Sequence, residues 1–181
     1  MIIRPAEEQD AQAVAAIYEP AVLQGFGTFE TVPPDAAWWD ARRRDIQGCG
    51  LPFLVAEEAG RVLGFASAGP FRPRPGYRFT AEDSVYVAPD TQGKGVGRVV
   101  LAAVVEACEA AGVRQLVAVI GDSQNHASIN LHRALGFEHS GIGRSFGFKH
   151  GRWVDIVWMQ KALNGGDTTT PDGPGIILSG S

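Results

Sequence analysis

Gln92-Gly93-Lys94-Gly95-Val96-Gly97-Arg98 joins an extended segment ending near Val87 to an apolar helical run from about Gly95 to Ala111. Glycines at such a bend let backbone N–H groups approach a ligand with no Cβ in the way, and the helix's first turn adds partial positive charge. Lys94 and Arg98 contribute full positive charges. The combination suits phosphate oxygens, although the same glycines also suit a tight strand-to-helix turn with no ligand. Two commoner phosphate loops are excluded. A Walker loop needs Ser or Thr after its lysine, whereas Lys94 is followed by Gly95. A dinucleotide fingerprint places GxGxxG after the first strand, with an acid about twenty residues on. Here the pattern is GxGxG, late in the chain, with no such acid.

Upstream of this turn, Tyr77 to Val87 reads as a long strand with unequal faces. Tyr77, Phe79, Ala81, Val85 and Val87 share one face, interrupted only by Asp83. Arg78, Thr80, Glu82, Ser84 and Tyr86 share the other, a polar row of the kind that borders solvent or a site. Further back, Phe53–Glu58 and Val62–Ser67 flank Ala59-Gly60-Arg61 as a hairpin, and Pro70 to Gly76 is a proline-studded loop. The chain opens with a short strand, Met1 to Arg4. A helix capped by Asp10 runs to Ala21, and a second capped by Asp35 ends near Gly48, its Arg42-Arg43-Arg44 run forming a solvated face. Downstream come a strand at Leu116–Ile120, a helix from Ala127 to Leu135 stopped by Gly136, and two strands turning at His150-Gly151. This order predicts one mixed α/β domain over 1–163, with a flexible tail over 164–181 rich in Gly, Thr, Pro and Asp.

Composition narrows the function classes. The 181 residues are 45% hydrophobic and 20% charged, enough to bury a core. The net charge of −4 disfavours a globally basic nucleic-acid binder. Cys49 and Cys108 lack CxxC spacing, and no secretory signal opens the chain, so they read as free thiols in a reducing cytoplasm. No run is long enough to cross a bilayer, and no metal site is indicated.

The residues at the turn resemble a known family. Gln92, Gly95 and Gly97 match the Q/R-x-x-G-x-G/A motif of the GNAT superfamily of acyl-coenzyme A dependent N-acetyltransferases. Asn125 to Phe137 is similar to the second signature, N-x-x-A-x-x-L-Y-x-x-x-G-F, with His132 where many members carry Tyr. Tyr77–Val87, Val117–Ile120 and Phe148–Trp153 resemble the phosphinothricin acetyltransferase branch, which includes enzymes acting on methionine sulfoximine and methionine sulfone.

The resemblance implies a mostly antiparallel sheet of about seven strands, splayed between strands 4 and 5 and flanked by about four helices. It implies acetyl-CoA as cosubstrate, its pyrophosphate on Gln92, Gly93, Lys94, Gly95, Val96, Gly97 and Arg98, its pantetheine arm along Val85, Tyr86 and Val87, and Asn125 bonding that arm. The Val87 amide is the implied oxyanion donor. Pro75, Gly76 and Tyr77 would contact the amine substrate, while Arg72, Arg74, Arg78 and Lys149 could meet its acidic group. Glu82 is the candidate base, and His132 either protonates the departing thiolate or is itself the base. Trp38, Trp39, Trp153 and Trp158 read as core or subunit contacts, in keeping with a homodimer. Asp83 is given no role. The expected function is acetylation of the α-amine of a small amino-acid analogue, in the cytoplasm. Two alternatives stand beside it: a protein or peptide N-acetyltransferase, and a non-catalytic coenzyme A binding module.

Overall fold

A computed structural model describes residues 1–177. Its elements are β1 (Ile2–Pro5), α1 (Ala11–Leu23), α2 (Ala36–Gly48), β2 (Phe53–Glu58), β3 (Arg61–Pro70), β4 (Thr80–Val87), α3 (Val96–Ala110), β5 (Gln115–Gly121), α4 (His126–Ala134), β6 (Glu138–Lys149) and β7 (Arg152–Ala162). The seven strands form one sheet in the order β1-β2-β3-β4-β5-β7-β6. Only β4 and β5 run parallel; every other neighbouring pair is antiparallel.

Helices cover both faces. Val100, Leu101, Val104 and Cys108, a helical stripe on α3, are fully buried against one face. On the other face, Trp39 from α2 and Tyr18 from α1 pack edge-on against the strand aromatics Phe65 and Tyr86. Asp35 caps α2 as expected, its carboxylate accepting the Trp38 N–H at 2.8 Å. Asp10 does not cap α1. Arg4 takes its carboxylate through two bonds of 2.7 and 2.9 Å, so the residue clamps β1 to the turn before the helix.

Two boundaries differ from the sequence reading. Strand β4 begins at Thr80, because Pro75-Gly76-Tyr77 winds into a 3₁₀ turn whose proline sets φ. Strand β3 runs on to Pro70, which sits opposite Ala81 at the strand end, where the proline's missing N–H costs little. The segment following β7 returns to the domain. Arg114 donates to the Gly166 and Thr169 carbonyls, and Ile176, 7% exposed, donates its N–H to Arg78 O. Residues 178–181 of the expected tail lie outside the described residues.

Candidate active site

The parallel ladder between β4 and β5 covers only Thr80–Asp83 against Gln115–Ala118. Beyond that rung the strands part. Ser84–Val87 have no partner on β5, and β5 stays bound to β7 through Gly121. Backbone direction alternates along a strand. Phe79 O accepts from Arg114 and Gln115 on the β5 side, and the Ala88 N–H bonds Leu63 O on the β3 side. Val85 and Val87 therefore turn their N–H groups into the gap. The splay predicted between strands 4 and 5 is present, and it opens into a cavity of about 720 Å³.

The glycine turn forms one end of this cavity. Gly93 and Gly95 have φ of +75° and +84°, left-handed values that favour glycine, and Gly95 is the residue preceding α3. Gly97 serves close approach: a Cβ there would lie 3.3 Å from Val87 Cγ2 and 3.5 Å from Leu131 Cδ2. Gln92, Gly93, Gly95, Val96, Gly97 and Arg98 all line the cavity, whereas Lys94 does not. Val85, Tyr86 and Val87 line it from β4.

Asn125 and His132, both on the cavity wall, are already engaged. Asn125 caps α4 by accepting the Ser128 N–H at 3.2 Å, and its amide nitrogen donates to Gly121 O. His132 lies 3.0 Å from Asp83 Oδ2 through Nε2 and 2.8 Å from the Ser128 carbonyl through Nδ1. Burial alone would push its imidazolium down, but the bond to Asp83, that carboxylate's charge and the Ser128 carbonyl hold it above the ordinary histidine value. Asp83, to which sequence reading gave no role, lines the cavity beside His132. Its signal was visible as the one carboxylate on the apolar face of its strand.

Glu82 points to the opposite face of β4 and is half-buried, outside the cavity wall. Burial raises its carboxyl above the usual glutamate value, the Arg72 charge opposes this, Asp83 adds to it, and Arg42 opposes it again. Arg72 Nη1 stands 3.7 Å from Glu82 Oε2. Gly69, opposite Glu82 in the ladder, makes room for the second guanidinium: a Cβ there would lie 3.0 Å from Arg42 Nη2. Pro75, Gly76 and Tyr77 also lie outside the cavity wall, with the exposed Tyr77 ring edge-on to Phe71 at 5.5 Å. Arg78 caps its own turn at Pro75 O. Lys149 is removed from the substrate candidates, since its buried ammonium donates to the Ala21 and Thr28 carbonyls.

A second wall comes from the loop after α1, which sequence reading left as an aromatic turn. Gly25, Phe26 and Gly27 line the cavity, and a Cβ on Gly27 would lie 3.8 Å from the side-chain nitrogen of Asn125, the residue that caps α4. A Cβ on Gly121 would run into the Phe26 carbonyl, so this glycine lets the loop lie on β5.

The glycine cradle, the parted strands and the α4 signature coincide with a match of residues 14–137 to the Acetyltransferase (GNAT) family. The chain belongs to that family. As a GNAT acyltransferase it is 50% identical over 170 residues to a phosphinothricin N-acetyltransferase of Alcaligenes faecalis, covering 94% of this chain and 86% of that one. It is 46% identical to an L-methionine sulfoximine/L-methionine sulfone acetyltransferase of Pseudomonas paraeruginosa, over 90% of this chain and 94% of that one. Its fold matches the crystal structure of a GNAT superfamily phosphinothricin acetyltransferase from Sinorhizobium meliloti in complex with AcCoA. That match has a TM-score of 0.91 and 43% identity, covering 96% of this chain and 94% of the other. The mixed α/β GNAT fold read from sequence is thereby established. Among the described residues, no helix is long and apolar enough to cross a membrane.

Proposed function

We propose that this GNAT enzyme moves the acetyl group of acetyl-CoA to the α-amine of a small amino-acid analogue of the phosphinothricin, methionine sulfoximine or methionine sulfone kind. The observation that carries this reading is the unpaired stretch Ser84–Val87 beside the glycine turn. A strand edge with free N–H groups can bond an extended amide-bearing arm, while amides at the α3 N-terminus take a diphosphate. The names of the relatives support the choice of amine.

The donor, when bound, supplies an activated acyl carbon. The protein's part is to hold and polarise it. The Val87 N–H, turned into the gap, would donate to the acyl oxygen as negative charge develops there, and such preorganised donors lower the barrier chiefly by electrostatics. The loop at Gly25–Gly27 helps screen the gap from water. Glu82 takes the proton that an α-ammonium must lose before attack, directly or through a water. Its burial favours this, because a base whose pKa lies nearer neutrality is better matched to the task. Arg72, beside Glu82, suits the acidic group of the amine substrate.

Incubation with acetyl-CoA and L-phosphinothricin, L-methionine sulfoximine or L-methionine sulfone is expected to release free thiol, with little release on peptides bearing a free N-terminus. Release only with peptides would favour the protein-acetylating reading. No release with any amine, despite coenzyme A binding, would favour a binding module.

The reading includes a homodimer in the cytoplasm. Ile142, Phe146, Phe148 and Trp153 are exposed on the β6–β7 hairpin at the sheet edge, the last two in cross-strand ring contact at 5.4 Å. Exposed aromatic patches of this kind mark association surfaces. Sedimentation of the full chain is expected to give twice the chain mass, and a monomer across micromolar concentrations would count against it.

A further inference from the structure

We propose that Asp83 is a positioning residue of acetyl transfer: its carboxylate holds the His132 ring fixed and doubly protonated at the fork of the sheet. The proposal rests on the acetyl-transfer reading above and says which groups run it.

Hydrogen-bond accounting assigns the protons. Nδ1 of His132 faces the Ser128 carbonyl at 2.8 Å, nearer than the Ser128 hydroxyl at 3.4 Å, and a carbonyl can only accept, so Nδ1 carries a hydrogen. Nε2 faces Asp83 Oδ2 at 3.0 Å, and an ionised carboxylate can only accept, so beside an ionised Asp83 Nε2 carries one too. A ring with two N–H groups is an imidazolium. The second oxygen strengthens the assignment. Asp83 Oδ1 is buried without a hydrogen-bond partner among the described residues, which leaves the ring to compensate this carboxylate. A neutral ring would strand an anion in the interior, and isolated buried charges are strongly disfavoured.

Among the described residues, Asp83 is the charge that acts on the ring. Cys108 reaches the pair from α3 with a thiol that burial and the Asp83 charge push up to about 12, so it is neutral. Tyr86, on β4, has a phenol raised by burial and is neutral as well. Glu82 feels the Asp83 charge from the other face of β4. Phe137 closes the ring edge-on at 5.1 Å.

Two consequences follow for the chemistry. A ring donating from both nitrogens has no lone pair with which to accept a proton from an amine, which assigns the base role to Glu82 and removes His132 from it. Asp83 is also the last rung of the β4–β5 ladder, opposite Ala118. Both members of the pair lie on the cavity wall. A cation held there, shielded from water, favours the negative charge that appears on the acyl oxygen and then on sulfur as the thioester bond breaks. Asp83 acts only through the ring.

The test uses the full chain in two arms. In the first, side-chain nitrogen NMR at about pH 7.5, with the His132 signal identified by its loss in His132→Asn, is expected to show both ring nitrogens protonated in the wild type, above the ordinary histidine pKa of about 6.5. In the second, Asp83→Asn keeps the shape and can donate to Nε2, so the ring is expected to become neutral. Its kcat should fall ~10- to 100-fold at about pH 8 with both KM values little changed. The wild-type-to-variant ratio of kcat should shrink toward one near about pH 5.5, where the variant's ring regains its proton. Losing the Asp83 charge also lowers the Glu82 pKa, so each kcat profile is first divided by its own acidic limb. A merely structural role predicts a corrected ratio independent of pH, and that result overturns the proposal. So does wild-type turnover in Asp83→Asn, or a neutral His132 in the wild type with the proton resting on Asp83. If Asp83→Asn fails to fold, the wild-type spectrum decides alone. If the wild type acetylates nothing, the function reading fails while the NMR arm still reports on the pair.

Discussion

Glu82→Gln is expected to lower kcat by ~10²- to 10⁴-fold, the span that loss of a positioned general base produces, while leaving the KM for acetyl-CoA unchanged. Gln has the same shape and hydrogen-bonding reach but cannot take a proton. Glu82 also lies outside the donor cavity, so its loss should not disturb donor binding. The wild-type pH profile provides an internal check. The base must be ionised, so activity should rise with pH through the Glu82 pKa, which burial places above the ordinary glutamate range. Arg72, 3.7 Å away, holds that value down. Arg72→Met should therefore move the acidic limb to higher pH in addition to weakening substrate binding. A Glu82→Gln variant within about threefold of wild-type kcat would remove Glu82 as the base, since even weak general-base effects exceed that.

Phe65→Ala is expected to cost about 3–5 kcal/mol, the range for deleting a fully buried aromatic ring. Phe65 is completely buried at the centre of the sheet. Its ring stacks on Phe53 at 5.7 Å and 9° and on Tyr86 at 5.4 Å and 27°, with Trp39 edge-on at 5.2 Å. Three aromatic neighbours cannot collapse into the space a ring leaves, so the cavity penalty adds to the lost transfer energy. For a chain of this size the melting temperature should drop by ~6 to 20 °C, which differential scanning calorimetry reads directly. A loss below about 1 kcal/mol would show that the cluster repacks freely. Tyr86 is the link from this core to the site, since it backs the parted stretch of β4.

Element order and type were legible without a structure because their signals are local. The stripe of Val100, Leu101, Val104 and Cys108 has helical period wherever α3 docks, and Asp35 caps α2 through a bond three residues along. The glycine turn was legible for the same reason: left-handed φ at Gly93 and Gly95 is a demand the chain makes at that point. Asp10 misled because the cap it seemed to offer was taken by the half-buried Arg4 on β1, and a local propensity yields to a charge-assisted bond from another element. Lys149 misled similarly. Nothing local says that a lysine near a hairpin turn will reach carbonyls at Ala21 and Thr28.

From its residues alone, then, this chain declares a run of strands and helices, a glycine bend fit for phosphate, and a polar strand face carrying Glu82. Three things were decided only by packing: the insertion of β7 between β5 and β6, the ending of the β4–β5 ladder at Asp83, and the meeting of Asp83 with His132, 49 positions apart. The division has a physical cause. Periodicity and backbone dihedrals are set over a few neighbouring residues, whereas a strand's partner and the state of a buried acid depend on groups brought near only when the whole sheet closes.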